Sequence, residues 1–110
     1  MSSEALLVLT NLPDPQSAER LAQALVGERL AACVNILAPC ASVYRLQGAV
    51  ETAQETPLLI KTSRSQYGKL EQAIRAGHPY ELPEIVAVTI EAGLPAYLAW
   101  VAAETRPTEI

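Results

Sequence analysis

The side chains best able to do chemistry lie in eight consecutive positions, His78-Pro79-Tyr80-Glu81-Leu82-Pro83-Glu84-Ile85. This stretch holds the chain's single histidine, two prolines, a tyrosine and two carboxylates. An imidazole beside a carboxylate is a donor set for a divalent cation, though a hard and unselective one without a thiolate. Proline fixes φ and pushes the residue before it into an extended conformation. His78 and Leu82 are therefore expected to be extended, and His78, Tyr80, Glu81 and Glu84 are displayed on a stiff connector. A connector of this kind builds either a binding wall or a shaped subunit contact.

Other reactive groups are sparse. Cys33 and Cys40 stand seven apart, which matches no zinc spacing. In a reducing compartment both are expected as free thiols. Cys33 lies in an apolar run and reads as a small hydrophobe of low reactivity. Cys40 follows Pro39 and is expected to be more exposed, a candidate for oxidation or adventitious metal. With one histidine, no Ser-His-Asp order and no acid–base pair of evident purpose, there is little from which to build a catalytic centre, and the chain reads as no enzyme.

The elements that must position these residues can be read in order. Ala5 to Thr10 is a nearly continuous apolar run, a strand buried on both faces. Asp14-Pro15 reads as an N-cap followed by a proline at the first helical position. Ala18, Leu21, Ala22, Leu25 and Val26 recur at helical spacing, so the helix is expected to reach about Leu30. A second strand covers 31–37, is interrupted by Pro39, and resumes over 41–46. Gln47-Gly48 is a tight turn into a third strand over 49–62, giving an unusually long hairpin. So long a ribbon has little core beneath it and calls for a partner surface. Ser63 or Ser65 is expected to cap a second helix carrying Tyr67, Leu70, Ala73 and Ile74, and Gly77 is placed as a helix-ending left-handed glycine. A fourth strand covers 85–90. Tyr97, Leu98, Trp100 and Val101 then suggest a short last helix, with Tyr97, Leu98 and Trp100 seating it on the sheet. The order βαββαβ plus a helix is the ferredoxin-like pattern, an α+β sandwich of two helices on a four-stranded antiparallel sheet. Its other face lacks helices from this chain, apart from any cover by the last one.

Composition bounds the setting. A chain of 110 residues is expected to form one domain, 1–110. Half its residues are hydrophobic and 18% are charged, so it can build a core; for so short a chain this apolar content also points to surface hidden in an oligomer. With a net charge of -4 and scattered Lys and Arg, no nucleic-acid partner is expected. No apolar run is long enough to span a bilayer, so no membrane is expected. Met1-Ser2-Ser3-Glu4 lacks the positive start of a signal peptide, so a cytoplasmic location is expected.

One set of residues, spread over nearly the whole chain, carries a family resemblance: Glu28 to Ile36, Ser42-Val43-Tyr44, Gly48, Ile60-Lys61-Thr62, His78-Pro79-Tyr80, Pro83-Glu84-Ile85, and Tyr97-Leu98 with Trp100. In order and spacing the chain resembles the CutA divalent-cation tolerance proteins. The resemblance implies a single CutA-like ferredoxin-like domain assembled as a homotrimer. Its architecture would be similar to the PII signal proteins, with the long hairpin reaching a neighbour. It also implies copper ligands, which map here onto His78 and Glu84. The family's first-strand cysteine position is Thr10, and the second histidine found in some members is Gly77. Metal binding, to copper or another divalent cation, is therefore expected to be weak. In such a trimer a small-molecule ligand would occupy an inter-subunit cleft, for which Tyr44, Lys61, Tyr80 and Glu81, with Glu55 and Glu84, are the candidates. Lys61 could meet an anionic ligand, but a carboxylate partner is the stronger expectation, because a partly buried lysine needs a counter-charge. The chain has no phosphate-cradling loop and no basic cluster, which argues against a nucleotide. The function expected is copper or divalent-cation tolerance by binding or signalling rather than turnover. The alternatives are a PII-like sensor of a small molecule and a trimeric scaffold.

Overall fold

The computed structural model describes residues 4–107. Strand β1 is Ala5–Leu12, helix α1 Pro15–Gly27, β2 Cys33–Ile36, β3 Cys40–Leu46 and β4 Ala49–Ser63. A 3₁₀ turn, Arg64–Gln66, leads into α2, Tyr67–Gly77, followed by β5, Ile85–Thr89, and α3, Pro95–Glu104. The sheet runs β2-β4-β1-β5 with every pairing antiparallel, and β3 pairs with β4 beyond the end of β2. If β2 and β3 count as one interrupted strand, this is the expected ferredoxin-like βαββαβ order with an added helix. Among the described residues no helix is long and apolar enough to cross a membrane.

The interruption has a simple cause. β2 pairs Ile36 with Leu58, whereas β3 pairs Cys40 with Glu55, so residues 37–39 stand opposite residues 56–57. One extra residue makes a bulge, and Pro39, which cannot donate to a ladder, sits in it. At the far end Leu46 and Ala49 close a two-residue turn in which Gln47 (φ 50°) and Gly48 (φ 82°) are both left-handed. That is the turn whose twist matches a hairpin.

Alternation along the strands divides the sheet into two faces. Leu6, Val8 and Leu12 of β1, with Leu58 and Ile60 of β4, meet Ala18, Leu21 and Leu25 of α1 and Leu70 and Ile74 of α2 in the main core. On the opposite face a small cluster of Ala5, Ala32 and Val101, joined by Ile90 and Leu98, lies under α3. Among the described residues no helix lies over the rest of that face. The register aligns Cys33, Lys61, Leu7 and Val88 in one row and Asn35, Leu59, Leu9 and Val86 in the next.

Four sequence expectations are corrected. α1 ends at Gly27 rather than near Leu30, because Arg29 turns the chain at φ 62° and Leu30 and Ala31 both donate to Leu25 O. A left-handed arginine is unfavourable. It is held by its own guanidinium, which donates to Ala103 O (2.8 Å) and Arg106 O (2.9 Å) at the end of α3. Neither Ser63 nor Ser65 caps α2: Ser63 precedes the 3₁₀ turn, where its hydroxyl pairs with those of Ser65 and Thr105. Gly77 is the last helical residue and is not left-handed. On α3 Leu98 and Val101 pack in the cluster against the sheet and the Tyr97 hydroxyl reaches towards Cys33 of β2, while Trp100 does not join them and lies against the Tyr97 ring at 5.5 Å.

Candidate functional site

His78 is extended (φ -98°, ψ 135°), as Pro79 requires, and ends α2. Its ring is nearly buried, 9% exposed, and both nitrogens are engaged. Nε2 lies 2.6 Å from Asn11 O, and Nδ1 accepts from the Tyr80 N–H at 3.1 Å. A carbonyl only accepts and an amide N–H only donates, so the ring is the neutral Nε2–H tautomer. The Nδ1 bond turns the chain, bringing the Tyr80 ring to 4.7 Å from the imidazole.

Asn11 is the link that sequence reasoning missed. Its carbonyl holds His78, and its side-chain amide donates to Glu84 Oε1 at 2.8 Å. The two candidate metal ligands are thus brought to one residue at the end of β1. Nothing in the sequence marks an asparagine for two such bonds.

Tyr80 reaches in another direction. The carboxylate of Glu55 lies near its hydroxyl, with Tyr44 and Asp14 also close enough to act on it electrostatically. Burial first, then the Glu55 charge, raises its pKa above the usual phenol value. Glu55 is 9% exposed, and the register puts it on the same face of the β3–β4 ribbon as Cys40, Ser42 and Tyr44. Of the proposed cleft residues, Tyr44 and Glu55 share that face four residues apart along the ribbon, and Tyr80 lies near Glu55. Glu81 is exposed and lines, with Gln72, Arg75, Ala76, Tyr80 and Pro83, a shallow groove of about 340 Å³.

Lys61 stands apart on the uncovered sheet face, and the expected carboxylate partner is replaced by an amide: Nζ donates to Asn35 Oδ1. Cys33 lies beside it, 4.0 Å from the same oxygen, within reach of the Tyr97 hydroxyl. Cys33 is half-buried and Cys40 exposed, both as free thiols.

Both His78 nitrogens are occupied, one Glu84 oxygen is bonded, and among the described residues no three His, Cys, Asp or Glu side chains converge. Thr10 alternates with Asn11, so its side chain faces the helix layer, where it is buried and its hydroxyl has no partner.

The fold and site define a ferredoxin-like α+β domain with a proline-stiffened histidine–tyrosine connector at the base of a long hairpin. The chain belongs to the CutA1 divalent ion tolerance protein family, whose model matches residues 6–104. It is 46% identical over 99 residues to the divalent-cation tolerance protein CutA of Thermus thermophilus, a match covering 90% of this chain and 96% of that one. The crystal structure of CutA from Xylella fastidiosa superposes with a TM-score of 0.91 at 45% identity, over 94% of this chain and all of the other. The chloroplastic CutA 1 of Oryza sativa is 38% identical over 93% of this chain, which spans 58% of that longer protein. The family is named for divalent-cation tolerance and not for a reaction.

Proposed function

We propose that the chain acts in divalent-cation tolerance as a homotrimer, by binding or signalling rather than by turnover. The observation that carries the assembly is the uncovered sheet face, where Val86 and Val88 are about half exposed beside Leu7, Leu9 and Leu59. Contiguous apolar surface of this kind is normally covered. The number three, and the PII-like arrangement with a cleft between subunits, follow from the resemblance to CutA, as does the link to copper.

Within this reading His78 and Glu84 are the residues whose replacement changes copper binding. Binding there is weak, because His78 already uses both nitrogens and the set lacks a thiolate. Titration calorimetry of copper into metal-free protein tests it. Wild type should show weak saturable binding that His78→Ala reduces at least tenfold, and light scattering should find the assembly unchanged by chelator. Equal copper binding in both proteins would remove His78; dissociation on chelation would show that metal, not sheet surface, holds the subunits. The cytoplasm is the proposed location, and cell fractionation would test it.

A further inference from the structure

A cavity of about 500 Å³ opens where the chain leaves α1 and later enters α2. Glu28 and Leu30 line it from the segment after α1, Gln66 from the 3₁₀ turn, and Lys69, Gln72 and Ala73 from α2. Gln66 follows the end of β4 that pairs with the start of β1, whereas His78 meets Asn11 at the opposite end of that strand. The cavity is therefore separate from the histidine connector. It belongs to the helix layer, on the other side of the sheet from the uncovered face.

Its polar groups divide by chemistry. Gln66 is only 3% exposed, and its Nε2 donates to Arg29 O at 3.1 Å. A carbonyl only accepts, so this bond fixes which end of the amide meets Arg29. Oε1 accepts no bond from the described residues, yet it is not one of their buried orphan atoms, so it is open to the cavity that Gln66 lines. Glu28 is the chain neighbour of Arg29, and its carboxylate joins the Gln66 carbonyl as an acceptor on the same wall. Lys69, Gln72 and Ala73 stand at i, i+3 and i+4 and share one stripe of α2. They bring an ammonium and an amide with two donor hydrogens. Neither Glu28 nor Lys69 forms an ion pair; among the described residues the one salt bridge is Arg64–Glu4. The cavity thus keeps a negative and a positive group apart. Leu30, buried in the main core, and Ala73, packed against that core, supply its apolar part.

This arrangement selects by charge. A lone anion would meet the Glu28 carboxylate, and a lone cation the Lys69 ammonium. A phosphate is served by a glycine-rich loop, and this cavity has one lysine and no glycine. A hard divalent metal needs about six oxygen ligands, and only one carboxylate is present. A dipolar molecule satisfies both walls. We propose that the cavity binds a free aliphatic α-amino acid. Glu28 and Gln66 Oε1 take its ammonium, Lys69 and Gln72 its carboxylate, and Leu30 and Ala73 its side chain. The volume lies in the usual range for small-molecule sites. The ligand is an organic zwitterion and not a metal, so this goes beyond divalent-cation tolerance.

Titration calorimetry of L-leucine into the full chain tests the proposal. The comparison ligands are isoamylamine, which lacks the carboxylate, and isocaproate, which lacks the amine. Wild type, Glu28→Gln and Lys69→Met are compared; both positions are exposed, and circular dichroism checks that each variant keeps the fold. Wild type is expected to bind leucine saturably and each single-charge analogue at least tenfold more weakly. Each variant should lose at least tenfold in leucine affinity, with a signature that a general structural effect would not give. Lys69→Met should no longer prefer leucine over isoamylamine, and Glu28→Gln should no longer prefer it over isocaproate. Three results would overturn the proposal: no saturable leucine binding to wild type, leucine binding unchanged by either substitution, or analogues that bind wild type as tightly as leucine. Because copper binding at His78 is read separately, failure here leaves that reading standing.

Discussion

At the scale of single residues, the buried hydroxyls of Thr10 and Thr56 are the clearest local conflict. Both lie in the main core, about 1% exposed, and neither has a hydrogen-bond partner. An unsatisfied buried hydroxyl costs about 1–3 kcal/mol, whereas an apolar group of the same shape avoids that loss. Thr10→Val and Thr56→Val are each expected to raise stability by roughly 1 kcal/mol in urea unfolding; a loss in both would mean the hydroxyls are satisfied in solution. Asp14 is the opposite case. The Ser17 N–H at its carboxylate is the largest cause holding its pKa below the ordinary value of 3.8. A carboxylate whose folded pKa is depressed contributes stability that is present above the unfolded value and lost as pH falls through the folded one. Asp14→Ala should therefore be less stable than wild type at neutral pH, and the difference should close as pH falls below 4, as chemical denaturation across pH would show. A difference independent of pH would contradict the cap.

At the scale of elements, each helix–sheet contact follows from periodicity. Leu70 and Ile74 are fully buried and carry α2 against the sheet. Leu70→Ala is expected to cost about 2–5 kcal/mol, measured by denaturant midpoint, and a cost below 1 kcal/mol would mean α2 is not anchored there. The order of elements, the Asp14-Pro15 start, the break at Pro39 and the Gln47-Gly48 turn were all legible, because each rests on local backbone chemistry. The ends of the helices were less so. Arg29 takes the left-handed turn that glycine would normally supply, since its guanidinium finds carbonyls some 75 residues away at the end of α3. Ser63 precedes the 3₁₀ turn rather than α2, and its hydroxyl accepts from Thr105, 42 residues on. The candidate site divides in the same way. Proline stiffness made His78 and Tyr80 visible. Asn11 was not visible, because its role depends on where β1 ends relative to two segments more than sixty residues on. Lys61 met an amide rather than the carboxylate its burial suggested.

At the scale of the whole molecule, the sheet has one face filled by α1 and α2 and another only partly covered by α3. Two rows of side chains cross the uncovered part, apolar except for Lys61, Asn35 and Cys33. Placing a charge among the valines of β5 should disrupt any surface packed on them without touching the core of the single chain. Light scattering of wild type and Val88→Glu, side by side, is the most direct test. The account predicts a wild-type mass about three times the 11.8 kDa chain and a Val88→Glu mass near that of one chain, with unchanged helical and strand content. A wild-type mass of one chain would contradict the account, and a trimer indifferent to Val88→Glu would show that the subunits meet elsewhere.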